Sequence, residues 1–134
     1  MNRRIAHVGV AVVNMDEAVR AFSILLDKEP DSFEDVADQK VKTAIYQTGE
    51  SSLEFLIGTA PDSPITKYLE KRGTGIHHVC LRVDDLSAEL MRLKEAGIRL
   101  IDEKPRAGAE GMLVAFVHPK STAGILIELQ QFKL

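Results

Sequence analysis

Residues 5–13 alternate apolar with small or polar positions and are rich in valine, which predicts a strand. Asn14 follows as a helix N-cap, with Asp16 and Glu17 in the first turn, where the helix dipole favours acids. Ala18, Phe22, Leu25 and Leu26 then form one apolar helical face, and Pro30 ends the element. Segments 33–37, 41–47 and Leu53 to Ile57 read as strands, the last two joined by the turn Gly49-Glu50-Ser51-Ser52. Gly58 to Pro64 is linker. Pro64 to Arg72 is a short helix, with proline in its first turn and Gly73 past its end. The pattern then restarts. A strand over 76–83 leads to an N-cap at Asp84 or Asp85, a helix to about Ala96, and Gly97 as its closing residue. Strands follow near 98–102, 113–117 and 125–130. Lys104 to Met112, with Pro105, Gly108 and Gly111, reads as a mobile loop.

This restart is an internal repeat. His7-Val8-Gly9-Val10-Ala11 stands 71 residues ahead of His78-Val79-Cys80-Leu81-Arg82, and Leu53-Glu54-Phe55 stands 74 ahead of Ile127-Glu128-Leu129. Each copy is β-α-β-β-β: one module over about 5–58, a linker helix over about 59–73, and a second module over about 75–131. The expectation is an α+β fold and a single domain over 1–134, in which two tandem βαβββ modules form a curved eight-stranded sheet.

The repeat places His7, Glu54, His78 and Glu128 at related positions on four strands. Imidazole nitrogen and carboxylate oxygen are ligands for divalent first-row ions, so these four predict one metal site within the chain. Glu54 and Glu128 each interrupt an otherwise apolar run. An ionised carboxylate buried without a partner costs several kcal/mol, and a shared cation would compensate both. The expected ion is one divalent metal per chain, Co, Mn, Ni or Zn, with iron a further member of the ligand-compatible set. Cys80 shares the strand face of His78 and reads as a small buried hydrophobe. His77 points the other way and reads as structural. His118 sits at a strand end, to bind or to cap, and Lys120 is a candidate anion contact.

Composition excludes more than it selects. The chain has 134 residues, 45% of them hydrophobic, which suffices for a packed core. A net charge of −3 argues against nucleic acid as a partner. No apolar run reaches the roughly 20 residues that span a bilayer. One cysteine forms no intrachain disulfide, and no signal or transit peptide is evident. A cytoplasmic protein is expected, or one of the mitochondrial matrix in a eukaryote.

The His–Glu–His–Glu order on a two-module chain resembles the vicinal-oxygen-chelate (glyoxalase) superfamily. The flanks are more particular. Asp62-Ser63-Pro64-Ile65 with Lys67-Tyr68-Leu69-Glu70-Lys71, then Gly75-Ile76-His77-His78-Val79-Cys80, resembles the methylmalonyl-CoA epimerase family. So do Gly108-Ala109-Glu110-Gly111 and His118-Pro119-Lys120 followed by Gly124-Ile125-Leu126-Ile127-Glu128-Leu129. The resemblance implies an isomerase of propionate metabolism, working as a homodimer on an acyl-CoA. It would move a proton at C2 of methylmalonyl-CoA through a metal-stabilised enolate, with Glu128 as one base. Lys120, Gly108 and Gly111 are the candidate substrate contacts. Some family members carry glutamate on the strand where Thr43 stands here. That leaves the second base open among Lys42, Gln47, Glu54 and a bound water. Two alternatives stand beside this reading: a glyoxalase-I-type lyase (lactoylglutathione lyase) with the same ligand set, and a non-catalytic small-molecule-binding member. A ring-cleaving dioxygenase fits less well, because its site wants two histidines and one carboxylate.

Overall fold

The structure, a computed structural model, describes residues 2–108 and 111–133. The strands are β1 (Arg3–Ala11), β2 (Ser32–Val36), β3 (Val41–Thr48), β4 (Ser51–Gly58), β5 (Gly75–Val83), β6 (Arg106–Ala107), β7 (Met112–Val117) and β8 (Ile127–Phe132). The helices are α1 (Met15–Leu26), α2 (Pro64–Arg72) and α3 (Leu86–Glu95). In chain order these elements spell β-α-β-β-β twice, with α2 between the copies, as the repeat predicts. The strands follow the hydrogen-bonded order β2-β3-β4-β1-β5-β8-β7-β6. The β5–β8 pair is parallel and the β2–β3, β3–β4, β6–β7 and β7–β8 pairs are antiparallel, so the eight-stranded sheet is mixed. Among the described residues, no helix is long and apolar enough to cross a membrane.

Two compact units divide the chain, one of Val8–His77 and one of Met1–His7 with His78–Leu134. The cut falls inside β1 and β5, so the first residues of the chain pack with its last half. In the unit of Val8–His77, α1 starts at Asn14, whose side chain accepts from the Glu17 amide at 3.0 Å. Its apolar face, with Met15, Ala18, Val19, Phe22 and Leu26, packs on Val12, Ala44, Tyr46 and Phe55. The Tyr46 hydroxyl, fully buried, donates to the Val19 carbonyl and bonds the Ser23 hydroxyl. Asp27 ends the helix in a left-handed conformation, φ 54°, three residues ahead of Pro30. Ser63 caps α2, whose Ile65 packs with Ala11, Val41 and Leu56.

In the other unit, Asp85 is the N-cap of α3, accepting from the Ala88 amide at 3.1 Å. Asp84 instead accepts from the Asn2 amide. Leu86 and Leu90 pack against Val83, Ala115, Val117 and Leu129. The sequence over-predicts one strand here. Residues 98–102 make a single bridge, Leu100 to Val117, rather than a ladder. Ile98 and Leu100 point their apolar side chains into the α3 core. The Asp102 carboxylate takes the Phe116 amide at 2.8 Å, and the Ile101 and Asp102 amides share the Phe116 carbonyl. A side chain thus occupies the place a strand carbonyl would fill. The paired edge is β6, inside the segment expected to be a loop, where Arg106 and Ala107 face Val114 and Leu113. The last strand also starts two residues later than expected, at Ile127, leaving Ile125 exposed.

Candidate metal centre

Three strands of the second unit bring three of the predicted donors together. His7 comes from β1, His78 from β5 and Glu128 from β8. The two Nε2 atoms lie 3.0 Å apart. Glu128 Oε1 is 3.4 Å from His7 Nε2 and 3.2 Å from His78 Nε2. Both histidines are buried, at 7% exposure each. Register fixes the neighbours. Glu128 pairs with Cys80 on β5 and with Phe116 on β7, so Cys80 and Phe116 share its face. The Phe116 ring meets the His78 ring edge to face at 6.3 Å between centroids.

Burial alone would push the Glu128 carboxyl up. Hydrogen bonds from His7 and then His78, reinforced by their charge, outweigh it and hold the group at about 2. Glu128 is therefore an ionised acceptor. Two imidazole nitrogens facing each other need a proton or a cation between them. Ligands about 2.1 Å from one ion are separated by about 3.0 Å at a right angle and about 3.4 Å in a tetrahedron. The three donor separations fall in that range, so these residues fit a divalent first-row ion. Cys80 Sγ adds a further donor atom, grouped with those of His7 and Glu128 within 4.8 Å of one another. The sequence placed Cys80 on the correct face but gave no distance. Phe116 was not singled out, since only the β7–β8 register sets it opposite Glu128.

Glu54, the fourth predicted donor, belongs to the other unit, where it lies on β4 opposite Ile45 and accepts from the Ser52 hydroxyl at 3.2 Å. His77 also belongs there and packs its ring edge to face on Tyr68. His118 caps a short turn, its Nδ1 accepting from the Lys120 amide at 3.0 Å, while the Lys120 side chain is exposed. Gly108 packs its backbone against Val114, which a Cβ would approach to 2.7 Å, and Gly111 turns with φ 72°. Both glycines therefore have a role in the β6–β7 hairpin whatever else they touch. Ala109 and Glu110 of the same motif lie outside the described residues.

Comparison with known proteins now decides the family. The family description "Glyoxalase/Bleomycin resistance protein/Dioxygenase superfamily" matches residues 6–116. An ethylmalonyl-CoA/methylmalonyl-CoA epimerase of Cereibacter sphaeroides is 37% identical, over 96% of this chain and 97% of its own length. The mitochondrial methylmalonyl-CoA epimerase of Mus musculus is 36% identical, over 96% of this chain and 72% of its own. The chain belongs to the methylmalonyl-CoA epimerase family of this superfamily. The expectation of an isomerase stands with it. A variant of the Streptomyces coelicolor methylmalonyl-CoA epimerase, solved in complex with 2-nitronate-propionyl-CoA, superposes with a TM-score of 0.88 at 31% identity. That match covers 96% of this chain and 94% of the other.

Proposed function

We propose that this protein interconverts the C2 epimers of methylmalonyl-CoA, using one divalent metal ion per chain. The observation that carries the reading is the convergence of His7 Nε2, His78 Nε2 and Glu128 Oε1 within 3.0–3.4 Å, on a chain of this family. His7, His78 and Glu128 would hold the ion, with Glu54 as the repeat-related fourth donor. When bound, the ion supplies Lewis-acid polarisation of the thioester and carboxylate oxygens that flank C2. The Streptomyces relative's ligand supports this chemistry, because a nitronate is a planar anion at the carbon that would lose its proton.

The residues do the rest. Glu128 is the proposed base that takes the C2 proton on one face. The electron pair passes into the planar enolate, and a proton returned to the opposite face completes inversion. Phe116 and the buried histidines limit water beside Glu128. Lys120, Gly108 and Gly111 are proposed contacts for the acyl-CoA. A second copy of the chain is proposed to cover the strand edges of this short sheet, as a homodimer. Light scattering tests that part, and a clean 15 kDa species at working concentration would overturn it.

The main test uses single epimers of methylmalonyl-CoA in deuterated water. The metal-loaded protein should place deuterium at C2 and interconvert the epimers, and a chelator should stop both until a divalent ion is restored. No exchange by the metal-loaded protein would overturn the reading. Turnover of methylglyoxal with glutathione instead would move it to the lyase.

A further inference from the structure

Strand register extends the site beyond its donors. Residues level with each other on neighbouring strands present their side chains on the same face of a sheet. Cys80, Glu128 and Phe116 form one such rung across β5, β8 and β7. The next rung on that face is Arg82, Gln130, Val114 and Arg106, about 7 Å further along the strands. The alternate residues Leu81, Leu129, Ala115 and Leu113 take the opposite face, in the α3 core. All of these positions lie in the unit of Met1–His7 and His78–Leu134. We propose that Arg106 binds an anionic group of the acyl-CoA substrate, a carboxylate or a phosphate, beside the donor cluster. The assignment rests on the epimerase reading above.

Ring contacts agree with the register. The Arg106 guanidinium carbon lies 5.5 Å from the centroid of the Phe116 ring, and that ring meets His78. One aromatic ring thus separates the cation from a candidate metal ligand. The Arg106 side chain is 44% exposed, so a ligand can reach it, whereas Gln130 and Val114 of the same rung are buried. Asp102 holds it in place. One carboxylate oxygen takes the Phe116 amide, and the other lies 3.3 Å from Arg106 Nε. A contact at Nε leaves the two terminal amino groups of the guanidinium to donate, and their planar geometry suits a carboxylate or a phosphate. The other cation of the rung is already committed. Arg82 donates from Nε and Nη2 to the Gln130 side-chain oxygen, at 3.1 and 2.8 Å, and lies over the Phe132 ring.

The chemistry of the group sets its role. A guanidinium stays charged and has no lone pair to offer, so Arg106 neither moves the C2 proton nor ligates the ion. It contributes binding energy. Methylmalonyl-CoA carries a free carboxylate at one end and phosphates at the other, and the chain as a whole carries a net charge of −3. A local cation is therefore what draws such a ligand to this face. The attraction is the same before and during proton transfer, so its loss should appear in KM and leave kcat largely intact.

The experiment is titration calorimetry on metal-loaded wild type, Arg106→Gln and Arg106→Lys with three ligands. Methylmalonyl-CoA has both kinds of anion. Methylmalonyl-pantetheine keeps the carboxylate without phosphates, and propionyl-CoA keeps the phosphates without a free carboxylate. Arg106→Gln should retain its metal and bind methylmalonyl-CoA about 10–100-fold more weakly, the loss of a hydrogen bond to a charged group. If the carboxylate is the partner, methylmalonyl-pantetheine should weaken equally and propionyl-CoA should be spared. If a phosphate is the partner, propionyl-CoA should weaken equally and the pantetheine thioester should be spared. Either pattern supports the assignment. Arg106→Lys keeps the charge without the planar fork and should recover part of the loss. Weakening of methylmalonyl-CoA by less than about threefold would overturn the assignment. Equal weakening of all three ligands would overturn it too, since Arg106 would then shape the site and not read an anion. Binding is measured without turnover, so the two readings separate. Wild type that binds methylmalonyl-CoA yet exchanges no C2 proton would sink the epimerase reading alone, and the three-ligand pattern would still decide the anion contact.

Discussion

The two copies of the repeat start from one pattern and settle it differently. In the first, the edge strand β2 runs for five residues and pairs with β3 along its whole length. In the second, the corresponding edge is reduced to the two residues of β6. The helices diverge in the opposite sense. No residue of α1 is fully buried, whereas α3 buries Leu86, Glu89 and Leu90. Apolar residues that pair as a strand in one copy pack against a helix in the other. Yet the candidate donors avoid this variable edge. His7 and His78 sit on the first strand of each module, and Glu54 and Glu128 on the last. An edge strand can shrink without moving the first and last strands, so the repeat tolerates structural drift where it carries no candidate donor.

If the second unit dominates metal binding, the largest effect should come from its histidines. His78→Ala, and equally His7→Ala, should lose bound metal and epimerase activity together. Activity should fall by more than the 10–100-fold typical of a mere outer-shell partner. Metal analysis and the exchange assay read both, and stoichiometric metal in both variants would remove these residues from the site. Glu54→Ala then sharpens the comparison: an equal loss of metal would mean that both copies supply donors.

Next in size is Glu128→Gln, which keeps an oxygen donor but removes the basic carboxylate. Much of the metal should remain, while interconversion falls by roughly 10²–10⁴-fold. Near-normal epimerisation would make Glu128 a ligand only.

Stability tests the helices. Glu89 on α3 is 2% exposed and accepts from Arg3 at 2.5 Å and from Arg92 at 2.7 Å. Among the described residues, α1 is tied instead by the neutral Tyr46 hydroxyl, bonded to Val19 and Ser23. Glu89→Gln should cost about 1–3 kcal/mol in urea unfolding. The Arg3 hydrogen bond lowers the Glu89 carboxyl below its ordinary value of 4.5, against the upward push of burial, with Arg92 adding to the lowering. A carboxylate depressed in the folded state stabilises fully above its unfolded value and loses that contribution as pH falls through the folded one. The gap between wild type and Glu89→Gln should therefore narrow as pH drops below about 4.5. A gap independent of pH from 7 to 3 would mean that Glu89 acts through shape alone.

The smallest expected effect compares the caps. Asn14→Ala and Asp85→Ala each remove one side-chain acceptor from a helix N-terminus, for about 1 kcal/mol. The loss should be larger at Asp85, because α3 has more buried surface to misplace. Equal or reversed urea midpoints would contradict that order.

Much of this was legible in the sequence, for identifiable reasons. Period-two valines marked β1 and β5, and Asn14, Ser63-Pro64 and the Asp84-Asp85 pair marked the helix starts, because caps and alternation are local effects. The histidines and Glu128 were legible because the repeat printed them twice. The strand at 98–102 was misjudged because Ile98 and Leu100 satisfy a strand pattern and a packed loop equally well. Only the Asp102 carboxylate bonding the Phe116 amide decides between them. The β6–β7 register that sets Arg106 opposite Val114 depends on which residues pair across strands. One slip would turn Arg106 to the opposite face, and composition says nothing about that choice.

The cut through β1 has a consequence for how the chain becomes functional. His7 and its neighbour His78 are 71 positions apart in the chain, and Glu128 lies later still. No nascent chain can assemble the three candidate donors before Glu128 has left the ribosome. Contacts so distant in sequence form late and slowly. The unit of Val8–His77 can be complete while residues 2–7 still wait for the strands that will hold them. If these residues hold the proposed ion, its capture should report a late step of maturation, and a product cut before Glu128 should bind it less well.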